Sequence, residues 1–292
     1  MAWGSGPVVT REPLEVLLDR WRRDLAGWAI PDEISSQVSE SPWELPRQVF
    51  ERRAERQVRQ PFGCSFECER AALQPPGEVL DVGAGAGAAC LPLAPLATAI
   101  TAVDRDHELL SALAARAARL GARARTVTAS WPEAAGEVGA ADVVTCHHVL
   151  YNVPDLEPFV AALTRGARRR VVVEVTARHP LTALNPLWER LHGLRRPEGP
   201  TAADVLAILT ALGLDVTATA WTRPATAEFA SFAELVEFTR RRLCLPPGRA
   251  GELEAALREL GSRPACHPLE LGAPGRELVT IWWAGTAEQR AG

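Results

Sequence analysis

The feature that most constrains this chain is the run Glu78-Val-Leu-Asp81-Val-Gly83-Ala-Gly85-Ala-Gly87-Ala. A short apolar stretch, the mark of a buried strand, stops abruptly in alternating glycines. Glycine takes up positive φ and lets a backbone pass close to a ligand. A helix is expected beyond the turn, and its first N–H groups would have no partner inside the helix. The turn alone does not name its ligand. A dinucleotide oxidoreductase carries Gly-x-Gly-x-x-Gly, whereas here the third glycine comes one residue early and Ala88 takes its place. Alanine is tolerated there, so spacing leaves NAD open. Asp81 discriminates better: a carboxylate two residues before the first glycine would repel a pyrophosphate but suits an ammonium group.

The pattern around this run is strand alternating with helix. Strands are expected at Glu78–Val82, Ala99–Val103, Ala124–Ala129, Asp142–Thr145, Arg170–Val175, Val216–Trp221 and Leu278–Trp283. Helices are expected between them. Asp106 caps one that Gly121 closes, and Asp155 opens another through Leu163. Thr201 with Asp204, and Ser231 with Glu234, read as capping boxes. Arg168–Arg170 is expected to end a helix, where cations complement the dipole. This order predicts an α/β, doubly wound, mostly parallel sheet. The first 75 residues read as helical and form an expected N-terminal extension or cap. Residues 76–292 form the expected α/β domain, with a helical insert at about 226–262 before the last strand. In the helix expected over 45–59, five arginines face three glutamates with Glu44 included, which reads as a solvated face rather than a phosphate patch.

Composition closes several routes. All 32 basic residues are arginine, so no Schiff-base or P-loop lysine exists. The lack of lysine also removes the Tyr-x-x-x-Lys pair of one oxidoreductase class. A net charge of −4 argues against a nucleic-acid binder. No apolar run is long enough to span a membrane, and no signal peptide is visible, so the expected location is the cytoplasm. The six cysteines, Cys64, Cys68, Cys90, Cys146, Cys244 and Cys266, are expected as free thiols. No metal is expected at Cys64 and Cys68: a radical-type iron–sulfur site would want a third cysteine where Ala71 stands, and zinc would need two more ligands.

Two further elements accompany the glycine turn. Asp104 ends the second strand, 21 residues after Gly83, where a carboxylate accepts both ribose hydroxyls of an adenosine. The fourth strand runs into Cys146-His147-His148-Val-Leu150-Tyr151-Asn152-Val-Pro154-Asp155. Asp-x-Gly-x-Gly-x-Gly, then Val-Asp, then Val-Leu-x-x-Val-Pro-Asp resembles the class I S-adenosylmethionine-dependent methyltransferases, especially those acting on small molecules. The resemblance covers about Glu78 to Val175. It implies seven strands in spatial order 3-2-1-4-5-7-6, the last one antiparallel.

Carried onto this sequence, the resemblance implies S-adenosylmethionine as cofactor and S-adenosylhomocysteine as product. Gly83, Ala84, Gly85 and Gly87 would pass under the methionine part, with Asp81 near its amino group. Asp104 would hold the ribose, Arg105 would flank the adenine, and Ser130 and Trp131 would lie at the adenine edge. Cys146 and His147 would lie beside the cofactor. His148 and His179 are candidate general bases, because imidazole titrates nearest neutral pH. Tyr151, Trp28 and Trp188 are candidates for lining a substrate pocket, as are Trp21 and Trp43. The expected partner is a small-molecule methyl acceptor. RNA or protein as acceptor, and a non-catalytic cofactor-binding module, remain as alternatives.

Overall fold

A computed structural model describes residues 12–43, 46–224, 229–260 and 276–286. Seven strands form one sheet: β1 (Gly77–Val82), β2 (Ala97–Asp104), β3 (Ala124–Thr128), β4 (Ala141–His147), β5 (Ala167–Thr176), β6 (Thr217–Arg223) and β7 (Arg276–Ala284). Their spatial order is 3-2-1-4-5-7-6, as the resemblance implied. β7 is antiparallel to both β5 and β6, and the other pairs are parallel.

Eleven α-helices occur among the described residues: α1 (Leu14–Ala26), α2 (Asp32–Ser35), α3 (Arg47–Arg59), α4 (Cys64–Ala72), α5 (His107–Arg119), α6 (Ala135–Val138), α7 (Leu156–Gly166), α8 (Asn185–His192), α9 (Ala202–Ala211), α10 (Phe232–Arg242) and α11 (Ala250–Glu259). None is long and apolar enough to cross a membrane. The capping chemistry is local and explicit. Asp106 accepts from the amides of Glu108 and Leu109, and Thr201 and Asp204 form a reciprocal box. Asp155 precedes α7 without capping it and pairs instead with Arg22 at 3.0 Å.

One expected helix is missing. After the glycine turn the chain makes only turns and a three-residue 3₁₀ segment, Leu91–Leu93, before β2. Pro92 has no N–H to donate back along a helix, and its ring would strike the carbonyl four residues earlier. Arg168–Arg170 also departs from expectation. These residues lie inside β5, where Arg168 bonds Asp142 at 3.2 Å.

Strand alternation sorts the core onto two faces. Leu80, Val144, Val171, Val173 and Ile281 pack with α1, α7 and α9. Val79, Val143, Ile100 and Ala102 face the other way, toward α5 and the end of α4. Of the helices before β1, α1 and the end of α4 pack into these two cores. Leu17, Leu18 and Trp21 of α1 sit in the first core, and the Trp21 indole donates to Val153 O at 2.8 Å.

A second, smaller core joins three distant segments. Val49 of α3, Leu187, Trp188 and Leu191 of α8, Leu235 of α10, and Leu253, Ala256 and Leu257 of α11 bury one another. This helical cap includes the described part of the expected 226–262 insert. Residues 226–228 and 261–262 of that insert, and Cys266, lie outside the described residues.

If α1 is structural, Trp21→Ala leaves a cavity in the main core and should cost about 3–5 kcal/mol of unfolding free energy. Urea denaturation measures this. A loss near zero would show α1 to be detachable.

Candidate active site

The carboxyl ends of β1, β2, β4 and β5 open into a cavity of about 1250 Å³. Its lining joins the glycine turn, the end of β4, α1, α3, α4 and the helical cap. Open α/β sheets bind ligands at this edge.

The turn end is built from backbone. Gly83 has φ +75°, and a β-carbon there would fall 2.2 Å from Val149 Cγ2. Gly85, at φ +50°, faces Phe50, another lining residue, so a side chain there would take cavity space. Gly83 N and Ala84 N donate to Val103 O, which ties the turn to β2. Asp104 reinforces this tie: Oδ2 accepts from Gly85 N at 2.8 Å and Oδ1 from Asp106 N at 2.9 Å. A carboxylate has about four acceptor sites, so Asp104 keeps capacity for hydroxyl donors. Asp81 is buried. Oδ1 accepts from the Thr145 hydroxyl at 2.9 Å, while Oδ2 is buried without a hydrogen bond. Burial pushes its pKa up. A cationic group at that oxygen would satisfy it.

Register places a polar stripe along the α4 face. Asp81 pairs with Thr145, His147 with Glu174, and Glu174 with Thr280. α4 supplies Ser65 and Glu69 above the stripe. His147 Nε2 lies 2.7 Å from Glu69 Oε1. Burial raises the Glu69 pKa to about 7, and although burial opposes charge on His147, Glu69, Glu174 and Asp81 raise that imidazole to about 9.

A directed hydrogen-bond chain ends on Glu174. Trp221 Nε1 donates to Thr280 Oγ1 at 3.0 Å, and Ser65 Oγ donates to Glu174 Oε2 at 2.6 Å. The Thr280 hydroxyl, 2.7 Å from Ser65 Oγ, is then the donor in the intervening bond. Glu174 Oε1 faces His148 Nε2 at 3.0 Å. Burial alone would raise the Glu174 pKa, but the His148 bond, the His147 charge and Ser65 hold it at about 2. An ionised Glu174 fixes the His148 proton on Nε2 and leaves the lone pair on Nδ1. Burial lowers the His148 pKa, with Glu174 opposing and Arg53 and Arg223 reinforcing. His148 has φ +59°, the left-handed region that side chains disfavour, and its N–H donates to Glu174 O at 2.8 Å.

The remaining residues singled out from sequence fall into two groups. Arg105, Ser130, Trp131, His147, Tyr151 and Trp28 line the cavity with Asp81, Gly83, Ala84, Gly85 and Asp104. Cys146, Gly87 and Trp188 do not. Cys146 is fully buried on the opposite face of β4, because adjacent strand residues point opposite ways. Gly87 turns the chain toward Leu91, and a β-carbon there would meet Leu91 at 2.6 Å. Trp188 belongs to the second core, against His192 and under Arg196. Trp21 is core, and Trp43 is an exposed residue at the cavity margin.

His179 lines the cavity but is not built as a base. Its Nδ1 accepts from Leu181 N at 3.3 Å, its ring stacks on Trp28 at 4.2 Å, and burial lowers its pKa to about 4. The neutral ring therefore carries its proton on Nε2 and has no spare lone pair. The Tyr151 hydroxyl is likewise engaged, by Thr176.

Sequence reading passed over Ser65, Glu69, Trp221 and Thr280, which meet only through the fold. It also placed the arginines of α3 on a solvated face. Arg59 does pair with Glu55 at 2.9 Å, but Arg53 and Arg56 line the cavity.

A doubly wound sheet with a glycine turn and carboxylates at the ends of β1 and β2 defines a nucleoside-binding α/β class. Residues 79–169 match the family model described as a methyltransferase domain. This region is a methyltransferase domain, and the sheet order agrees with the resemblance to the class I S-adenosylmethionine-dependent methyltransferases. A protein-L-isoaspartate O-methyltransferase of Methylorubrum populi is 40% identical over 82 residues, which cover 27% of this chain and 39% of that protein. The chain thus spans well under half the length of that relative. Among solved structures, the YcgJ protein of Bacillus subtilis is 18% identical, covering 76% of this chain and 97% of that one with a TM-score of 0.48. A SAM-dependent methyltransferase of Thiobacillus denitrificans, in complex with S-adenosylhomocysteine, is 17% identical over 82% and 98% of the two chains, with a TM-score of 0.47. Magnesium protoporphyrin IX methyltransferase of Synechocystis, with bound S-adenosylhomocysteine, is 20% identical over 72% and 89%, with a TM-score of 0.45.

Because Glu174 raises the His148 pKa, Glu174→Gln should lower it further below 6.5. Histidine proton NMR across a pH series reads this. An unchanged or raised midpoint would show that the carboxylate does not act on the ring.

Proposed function

We propose that the chain transfers a methyl group from S-adenosylmethionine to an O, N or C atom of a small molecule. One observation carries this reading: the cavity continues past the glycine turn to His148 and an aromatic cap. Pockets for one drug-sized ligand span roughly 300–1,000 Å³. At about 1250 Å³ this cavity has room for the cofactor and a second small molecule. A macromolecular acceptor would need an open face instead, whereas here α1, α3 and residues of the cap bound the space.

The residues present fit the cofactor. The orphan buried oxygen of Asp81 suits its ammonium, the turn at Gly83–Gly85 offers backbone beneath it, and Asp104 has lone pairs left for ribose hydroxyls. Ser130, Trp131 and Arg105 would border the adenine. When bound, the cofactor supplies an electrophilic methyl on a sulfonium.

The chain's own work is positioning and proton handling. Alignment of an attacking atom with a leaving group supplies roughly 7–11 kcal/mol in favourable cases. Trp28, His179 and Tyr151, packed ring to ring, would close the side of the acceptor space next to the ends of β4 and β5. His148 Nδ1 would take the acceptor's proton, with Nε2–H anchored on Glu174. The lowered His148 pKa keeps this base neutral and competent at neutral pH. The Ser65–Thr280–Trp221 chain keeps Glu174 ionised and fixed.

Calorimetry tests the reading. S-Adenosylmethionine and S-adenosylhomocysteine should bind and NADH should not, and Asp104→Ala should weaken both. Tight NADH binding without sulfonium binding would overturn the assignment. For an acceptor whose nucleophile carries a proton, His148→Ala should lower kcat by about 10²–10⁴-fold. In the wild type the rate should fall toward acid with a midpoint below 6.5, as protonation removes the Nδ1 lone pair. Unchanged turnover in His148→Ala would remove that residue from the mechanism.

A further inference from the structure

Charged residues are unevenly spread along the cavity, with Arg105 as a cation beside Asp104 at the acidic end. Asp81, Asp104 and Glu133 lie at the glycine-turn end and the adjoining end of β3. The other lining acids have cationic or imidazole partners: Asp155 pairs with Arg22, Glu69 with His147 and Glu174 with His148. The opposite wall, at β6, β7 and α10, is lined by Arg223, Arg276 and Arg242, and α3 adds Arg53 and Arg56.

Arg242 stands apart from these cations. Its Nε is buried without a hydrogen bond, and no acidic side chain pairs with it among the described residues. Its guanidinium lies over the Phe238 ring at 5.4 Å. Burial, with Arg241 adding to it, lowers its pKa to about 10. A half-buried cation without a counter-charge is costly unless a ligand supplies one. Phe238 in turn packs against Phe229 at 5.0 Å, and Phe62 and Trp221 line the same cavity. Phe62 and Trp221 meet edge to face at 6.5 Å.

Resting on the methyltransferase reading, we propose that the acceptor is an aromatic acid, its ring held by the phenylalanine and tryptophan wall and its carboxylate bound by Arg242. The planar guanidinium fork matches a carboxylate in geometry. One unmatched cation fits one negative charge, which favours a carboxylate over a dianionic phosphate. His148, Arg53, Arg223 and Arg242 line one cavity, so an acid bound at Arg242 shares that space with the base.

The test is calorimetry on the full chain saturated with S-adenosylhomocysteine, using 2-naphthoate, neutral 2-naphthylmethanol and 2-naphthyl phosphate as probes. The acid should bind about tenfold more tightly than the alcohol. Arg242→Met should abolish that preference and Arg242→Lys should restore part of it, with S-adenosylhomocysteine affinity unchanged in both. The conservative variant and the cofactor titration report whether the protein remains folded. Equal affinity for acid and alcohol, or a preference that survives Arg242→Met, overturns the proposal while cofactor binding stands. Tighter binding of the phosphate overturns the carboxylate assignment. Failure of S-adenosylhomocysteine to bind at all overturns the methyltransferase reading and this inference with it.

Discussion

An ionised carboxylate buried under a helix organises this molecule. Glu174 sits in the centre of the sheet, between His147 on β4 and Thr280 on β7. A buried charge is tolerated only when it is paired and hydrogen-bonded. The partners come from four parts of the chain: His148 after β4, Ser65 on α4, and Thr280 and Trp221 behind Ser65. This demand explains why α4 lies on the α/β core although it precedes the first strand. It also explains how His148 is kept at positive φ. A non-glycine residue there costs of order 1–3 kcal/mol and persists only where its surroundings over-determine it. Here both its backbone N–H and its ring are bonded to Glu174.

The same stripe continues to the turn end through Asp81, whose second oxygen has no hydrogen bond. Asp81 and Asp104 therefore face one end of the cavity, with Arg105 beside them, and the arginines of β6, β7 and α10 face the other. Such a field favours a ligand pair of opposite polarity: a cationic group against Asp81 and an anionic one against the arginine wall. Low-dielectric walls strengthen both attractions compared with water. The field orients each ligand as well as binding it, and orientation is what an in-line displacement requires.

Much of this was legible in the sequence, and the failures have physical causes. The strands, the glycine turn and the carboxylates at 81 and 104 follow from local pattern, because a strand ending in glycine and a strand ending in aspartate are short-range statements, whereas the spatial order of the strands came only through the family resemblance. The missing helix after Gly87 was a failure of weighting: Pro92 outweighed the glycine-turn analogy. Cys146 and His147 were grouped together although strand alternation separates them by a full sheet thickness. Trp188 is a pocket candidate in the sequence but packs in the second core, as large aromatics more often do. Ser65 and Glu69 could not have been found, since their meaning comes from contacts 109 residues away for Ser65 and across the sheet for Glu69.

The division into two hydrophobic cores bears on how such a chain can change its acceptor. The cofactor end rests on the sheet cores, where Leu80, Val103 and Val144 are within 1% of full burial. The aromatic and cationic wall takes Trp221, Arg223 and Arg276 from β6 and β7, and Phe238 and Arg242 from α10, which packs in the second core. Substitutions in that core reshape the aromatic and cationic wall without touching the strands that carry Asp81 and Asp104. The two halves are joined by α3, which contributes Val49 to one core and Ala54 to the packing against α5, by Ile30 and Ile34 against the second core, by Arg196 over both Trp28 and Trp188, and by salt bridges such as Arg52 to Glu234 at 2.7 Å. A substitution in the cap can therefore alter the cavity lining while β1 and β2 keep Asp81 and Asp104 in place.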